Sequence, residues 1–554
     1  MFGGLNIQLE RYTFQPKGID AAPDRTPQTA IPRQIAESAV HNGAICLVEN
    51  QHQHNVKVEQ ARTSGHTIFA ASLTQNHRLT KKEFIELLSR NLGHQPTIGQ
   101  LRLFNLLTDF LASQEKDRVF LLRGYAGTGK TSIVKALVKT FPSTQLKTQL
   151  LAPTGRAAKV LSAYSGQPAY TIHKRIYFTQ TGDLGMHFSL QRNLFKKTLF
   201  IVDEASMIGG ENADSEHNLL SDLIEYVMSG DDCRLMLIGD NAQLPPVGLE
   251  DSPAIDKAFL ERNHYLKVTE TLLDEVVRQG EDSGILWNAT KIRDQLNSGE
   301  NVFPNLHTKE FPDVFRITGQ DLEDHLNFAF GRYGAEEVLV VTRSNKNAGL
   351  YNRQIRARIH WQEEEIANGD HLMIVRNNYF WLPEESKQGF IANGDTAEIL
   401  KLGKRYTKGN YRFADAQIRF VDYPEQAETD VRLLLNTLDS TQANLSYNEQ
   451  KEIYALVEED YMDVPLKAER RKKLKQDPYI NALQVKFAYA VTCHKAQGGQ
   501  WKCVFVDQGF LQDDMLDRSF LRWLYTAVTR ATERLYLVNF SKEFFPDEET
   551  ETFY

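Results

Sequence analysis

Gly124-Tyr-Ala-Gly-Thr-Gly-Lys-Thr131 stands just after the apolar run Val119-Phe-Leu-Leu122. The pattern of a glycine, four residues and Gly-Lys-Thr is that of a phosphate loop, with a strand before it and a helix over 132–138 after it. Such a loop aims successive backbone N–H groups and the positive end of a helix at one point, which suits a phosphate chain. Gly124, Gly127, Thr128 and Gly129 supply the close backbone approach, Lys130 reaches the terminal phosphates, and Thr131 offers its hydroxyl to magnesium. ATP with Mg2+ is the expected ligand.

Two later runs supply what a phosphate loop alone lacks. Leu199-Phe-Ile-Val-Asp-Glu204 ends an apolar strand in two carboxylates. Ligands of open α/β sheets bind at that end. Asp203 is expected to hold the magnesium and Glu204 to polarise the attacking water. Leu235-Met-Leu-Ile-Gly-Asp-Asn-Ala-Gln-Leu-Pro-Pro-Val-Gly248 ends a second apolar strand in polar residues. Gln243 carries an amide able to sense the γ-phosphate or the water, and Pro245 and Pro246 stiffen the loop behind it.

At 554 residues the chain has room for several domains. Its four cysteines, at 46, 233, 493 and 503, make no Cys-x-x-Cys pair, so neither a zinc ribbon nor a disulfide framework is indicated. No opening apolar stretch reads as a signal peptide or membrane span, so a cytoplasmic location without a membrane partner is expected. The net charge of −8 leaves nucleic-acid binding open, because positive charge can be confined to a cleft.

Residues 1–78 are polar with weak periodicity and read as a weakly structured extension. A helical period begins at Thr80-Lys-Lys-Glu83, which matches a capping box. A second helix is expected over about 98–111. Strands then alternate with helices to about residue 270, the pattern of a mostly parallel, helix-covered sheet. One departure is Ile176-Tyr-Phe-Thr-Gln-Thr-Gly-Asp-Leu-Gly-Met-His-Phe-Ser-Leu190, which reads as a hairpin.

A second α/β unit opens at Glu337-Val-Leu-Val-Val-Thr342 and resumes with a strand over 484–492, then 503–507 and 534–538. Between its halves, short strands alternating with turns suggest an inserted β-barrel. The charged, helical stretch that follows ends in a Lys/Arg run over 467–475, read as a solvated face rather than a DNA contact. Arg278, at the passage between the units, and Arg530, just before a strand, are placed to reach a γ-phosphate when a cleft closes.

With these motifs in order, the chain resembles the superfamily 1B DNA helicases of the RecD-like and Dda-like group over about 96–540. Gln100 matches the glutamine that reads adenine, and the phosphate loop is motif I. Ala152-Pro-Thr-Gly-Arg-Ala-Ala-Lys159 matches Ia, Thr171-Ile-His-Lys174 matches Ib, and Asp203-Glu204 matches II. Gly239-Asp-Asn-Ala-Gln-Leu-Pro-Pro246 corresponds to III and Arg278 to the arginine of IV. Thr492-Cys-His-Lys-Ala-Gln-Gly498 matches V, and Tyr525-Thr-Ala-Val-Thr-Arg530 matches VI. After motif V the family often carries a glutamate that bonds the ribose, where this chain has Gln500.

The resemblance implies an α/β protein with two RecA-like motor domains, a hairpin insertion in the first and an SH3-like barrel in the second. The implied layout is 79–270 for the first motor with its hairpin at 176–190, 271–369 and 484–554 for the second, and 370–483 for the barrel. It further implies 5′→3′ movement on single-stranded DNA, driven by ATP, with the hairpin parting strands at duplex junctions. Lys130, Glu204, Gln243, Arg278 and Arg530 would form the catalytic set. Thr154, Arg156, Lys159, His173, Lys174, Thr492, His494 and Lys495 suit phosphate contacts along the strand, and Phe178 and Phe188 of the hairpin could stack on a base. The residues alone leave open an ATP-gated DNA-binding or remodelling subunit that does not unwind, and identify no loading partner.

Overall fold

The computed structural model describes residues 79–182, 185–209, 218–277, 283–300, 302–383, 390–423 and 426–546. The extension at 1–78 and Arg278 lie outside them. The first helices follow their local signals. Lys81–Leu92 starts at a capping box between Thr80 and Glu83, and Ile98–Ala112 starts at another between Thr97 and Gln100.

The first core contains β1 (Arg118–Gly124), β2 (Lys147–Ala152), β3 (Ala169–Thr171), β4 (Tyr177–Gly182), β5 (Gly185–Leu190), β6 (Thr198–Val202), β7 (Arg234–Gly239) and β8 (Lys267–Leu273). Six of these form one parallel sheet in the order β3-β2-β6-β7-β1-β8. Its central strands are continuous apolar runs because helices cover both faces. In β1, Val119 and Leu121 enter one hydrophobic cluster while Phe120 and Leu122 enter the other. Strands β4 and β5 pair only with each other, as an antiparallel hairpin that places Phe178 opposite Ser189 and Thr179 opposite Phe188. The phenol of Tyr177 anchors its base with a 2.5 Å hydrogen bond to Asp222.

The second sheet is also parallel, in the order β16-β10-β17-β18-β9. Its strands are β9 (Val314–Ile317), β10 (Val338–Thr342), β16 (Ala490–Thr492), β17 (Trp501–Asp507) and β18 (Ala531–Val538). The short edge strand β9 had no sequence signal strong enough to stand out. The strand expected over 484–492 is two strands. Leu483–Phe487 is β15, a barrel strand, and only the next three-residue strand, β16, joins the sheet. Both halves are apolar, so hydropathy does not mark the change of partner.

The barrel closes through β11 (His371–Ile374), β12 (Thr396–Lys408), β13 (Tyr411–Phe420), β14 (Thr429–Leu434) and β15. It shares one hydrophobic cluster with a face of the second sheet, in which Val338 and Val340 join Leu372, Ile374 and Ile399. Helices Tyr447–Glu458 and Lys467–Lys475 lie between β14 and β15 and bury Ile453, Val457 and Leu474 against Tyr411 and Phe413. Among the described residues, no helix is long and apolar enough to cross a membrane.

Candidate active site between two parallel sheets

The loop after β1 turns through Gly127 at φ +75° and Gly129 at φ +85° before helix Lys130–Thr140 begins. These are left-handed conformations that favour glycine. A Cβ on Gly129 would also lie 2.7 Å from the amide nitrogen of Gln100. Lys130 Nζ donates to the carbonyls of Gly124 and Tyr125, at 2.7 and 2.8 Å, and lies 3.9 Å from the Asp240 carboxylate. The loop, the ends of β6 and β7, and residues of the second core enclose a cavity of about 490 Å³.

Gly127, Gly129, Lys130, Thr131, Asp203, Glu204, Gln243, Gln500 and Arg530 all line that cavity. Gln100 does not. Its amide donates to the Thr128 carbonyl and its oxygen accepts from the Thr97 backbone, so the side chain braces the loop from behind. Gly124 and Thr128 also lie behind the wall, the first through its carbonyl on Lys130 and the second through a hydroxyl bonded to Tyr125 O.

Glu204 sits at φ +53° and ψ 36°, a left-handed conformation uncommon for a residue with a Cβ. Burial raises its pKa to about 7; the Arg530 guanidinium and Lys130 oppose the rise, and the Asp203 and Asp240 carboxylates add to it. Burial also raises Asp203, although the Glu204 backbone N–H, donating to it at 2.9 Å, and Lys130 work the other way. The buried carbonyl oxygen of Gln243 has no hydrogen-bond partner among the described residues.

The second core reaches the site along one helix, Arg518–Val528, and the turn after it. Tyr525 is buried with its hydroxyl 2.8 Å from Asp240 Oδ2, and it accepts a 2.7 Å hydrogen bond from Ala126 N–H in the phosphate loop. One side chain thus ties the end of β7 to the loop after β1. The next residue, Thr526, accepts from Leu244 N–H at 2.8 Å, and Gln497 donates to the Leu244 carbonyl at 2.7 Å. Arg530 is buried and spends its donors on the Thr526 and Gly499 carbonyls and the Thr529 hydroxyl.

The donor set fits a magnesium–triphosphate ligand. Two half-buried carboxylates with raised pKa suit a divalent cation beside them, Thr131 adds a hydroxyl, and Lys130 and Arg530 bring positive charge from the two cores.

The residues expected along the DNA follow the ends of β2, β3 and β16. Thr154 caps helix Gly155–Ser165, accepting from Ala157 N–H, and a Cβ on Gly498 would lie 2.8 Å from the Ala157 methyl, so motifs Ia and V touch. His173 and Lys174 follow β3. Burial lowers the pKa of both, that of Lys174 to about 8. Thr492 and His494 line a second cavity of about 390 Å³. Lys495 is lowered to about 8 by burial and by Lys486.

Arg156 and Lys159 are held by the barrel. Arg156 donates to Asp422 at 2.9 Å and to the Gln500 carbonyl at 3.3 Å, and its guanidinium lies 4.8 Å from the Trp501 ring centroid. Lys159 donates to Val421 O at 2.6 Å and lies 3.5 Å from Asp422. The Asp422 carboxylate is fully buried, so removing it strands two cations. Asp422→Ala is expected to destabilise this contact by about 3 kcal/mol. Hydrogen exchange should show protection of helix Gly155–Ser165 falling by about 10²-fold; unchanged protection would mean the helix does not depend on the barrel.

On the hairpin, Phe178 is 40% exposed, as a stacking residue needs to be. The side chain of Phe188 lies outside the described set. Sequence reasoning missed Tyr164, whose hydroxyl hydrogen-bonds to the Gln500 side chain, along with Asp422 and the bridging role of Tyr525. Of these three, only Tyr525 stood in a matched motif, at the head of motif VI.

Known proteins match the same two cores. The AAA domain family model matches residues 105–302, and the UvrD-like helicase C-terminal domain model matches 487–538. An uncharacterized protein of Acanthamoeba polyphaga mimivirus is 25% identical over 505 residues, covering 78% of this chain and 97% of that protein. The ATP-dependent DNA helicase Dda of Enterobacteria phage T4 is 31% identical over 284 residues, covering 50% of this chain and 60% of Dda. The ATP-dependent RecD2 DNA helicase of Deinococcus radiodurans is 35% identical over 130 residues, covering 24% of this chain and 16% of RecD2. The chain is thus similar in sequence to superfamily 1 DNA helicases of the RecD2 and Dda kind, across both of its cores.

Proposed function

We propose that the chain is an ATP-driven motor that moves 5′→3′ along single-stranded DNA and unwinds duplex at the junction. The observation that carries this reading is the meeting, around one cavity, of Lys130, Asp203 and Glu204 from the first core with Arg530 from the second. Magnesium, held by Thr131 and Asp203, would neutralise charge on the phosphate oxygens. Lys130 exchanges its loop carbonyls for the terminal phosphates. Glu204, deprotonated, accepts the proton of the attacking water, and Gln243 offers its unpaired oxygen to orient that water. Arg530 stabilises charge on the transferring group, and Arg278 is assigned a supporting contact from the family motif.

Movement follows from the same contacts. Tyr525 and Thr526 bond to the ends of β1 and β7, so opening the cleft breaks specific hydrogen bonds, and closing it restores them. On this reading Thr154, His173, Lys174, Thr492, His494 and Lys495 grip phosphates in turn, with Arg156 and Lys159 joining when released from Asp422. The first motor domain would hold 79–270 together with the rest of β8, the barrel 370–483 together with the rest of β15, and the second motor domain what remains of 271–369 and 484–554. A single-turnover comparison of 5′-tailed and 3′-tailed duplexes tests the direction; unwinding only from the 3′ tail would overturn it.

The hairpin supplies the wedge. Phe178→Ala, or a shortened turn in place of 181–185, is expected to leave DNA-stimulated hydrolysis and translocation within about twofold while unwinding falls by at least about tenfold, because only strand separation needs stacking at the fork. Measuring all three on one preparation decides it. Equal losses would make the hairpin part of the track.

A further inference from the structure

The largest cavity among those described, about 1150 Å³, lies away from both motor sheets, between the barrel and helices Tyr447–Glu458 and Lys467–Lys475. Its lining is unusual for a chain of net charge −8. Arg376, Lys451, Lys472 and Lys475 contribute positive charge, and among the described lining residues there is no aspartate or glutamate. The nearby acids are engaged elsewhere: Glu449 closes the capping box with Ser446, and Glu452 accepts from the Tyr411 hydroxyl.

Aromatic faces are interleaved with these cations. Tyr447, Lys451 and Tyr454 recur at i, i+4 and i+7 and so share one face of their helix, beside the face that buries Ile453 and Val457. Tyr447 is 77% exposed and Tyr454 is 39% exposed. Flat aromatic faces beside lysines suit a ligand that has flat faces and negative charge. Arg376 reaches from the barrel to Gln450 on the same helix, fixing one wall against the other.

We propose that this groove is a second site for single-stranded nucleic acid, separate from the motor track, in which Tyr447 and Tyr454 stack unpaired bases and the four cations meet the phosphates. The proposal rests on reading the chain as a single-strand motor, and it changes the assignment of the 467–475 run from a solvated face to one wall of a binding groove. A duplex would hide its base faces from the tyrosines; an unpaired strand presents them.

The test uses the full chain with short fluorescein-labelled oligothymidylate, and iodouracil-substituted oligonucleotide for photocross-linking. Wild type is expected to bind two short strands per chain and to cross-link at Tyr447 or Tyr454. Tyr447→Ala/Tyr454→Ala should bind one strand and weaken affinity for a longer strand by about tenfold or more. Lys472→Ala/Lys475→Ala should lower the salt slope by about 1.4. In both variants the maximal DNA-stimulated ATPase rate should stay at the wild-type level. If DNA stimulates hydrolysis yet cross-links only at motor residues, with affinity and slope unchanged in the variants, the groove proposal fails alone, and an acidic, aromatic peptide becomes the ligand its chemistry suits. If DNA neither binds nor stimulates hydrolysis, the motor reading fails with it.

Discussion

Arg530→Ala is expected to lower DNA-stimulated ATP turnover by about 10³-fold or more while nucleotide still binds. The guanidinium comes from the second core, yet it is among the charges that most affect Glu204 in the first. Its present partners are two carbonyls and a hydroxyl, neutral acceptors that an anionic phosphate oxygen outcompetes. Arg530→Lys keeps the charge but loses the planar fork and should recover little of the rate. Steady-state turnover at saturating single-stranded DNA, with binding of a fluorescent nucleotide measured alongside, checks this. A loss under about threefold would remove Arg530 from the catalytic set.

Glu204→Gln is expected to reduce hydrolysis by about 10²- to 10⁴-fold, the range for losing a positioned general base. The substitution preserves shape and removes a half-buried negative charge beside the phosphates, so nucleotide affinity should hold or rise. The pH dependence gives an independent check. A base works when deprotonated, and burial has raised the folded-state pKa of Glu204 to about 7. The kcat/KM of wild type, which reports the free enzyme, should therefore fall as pH drops through about 7, and the Gln variant should lack that limb. A wild-type profile flat down to the ordinary glutamate range, about 4.3, would show that burial does not tune this group.

The parts of the site that the sequence discloses are those whose chemistry is local. A phosphate loop needs its glycines and lysine within eight residues, and a carboxylate pair at a strand end needs only the strand. Lys130, Asp203, Glu204 and Gln243 were therefore legible, and the ordered motifs extended the reading to Arg530. The capping boxes at Thr80 and Thr97 were equally local, although the second also claims Gln100 and turns it toward the loop. Contacts across the fold left no such trace. Asp422 is one acid among 72 acidic residues, and nothing near it in the chain marks it as the partner of Arg156. The division of 484–492 into β15 and β16 was hidden for a related reason. Both strands are buried, and burial alone does not specify which sheet a strand joins.

The direct run from β15 into β16 limits how the barrel can move. Only Ala488 and Tyr489 separate a strand sealed into the barrel from one sealed into the second sheet. Tyr489 is itself buried, and its hydroxyl bonds to the His371 backbone and to Asp370, which is held in turn by Arg356 through two 2.8 Å hydrogen bonds. No slack remains at this joint to act as a swivel. A torque on the barrel passes straight into Thr492, at the far end of β16, and into His494 and Lys495 just beyond it, so on the proposed motor reading a load on the inserted module would be felt at the strand contacts.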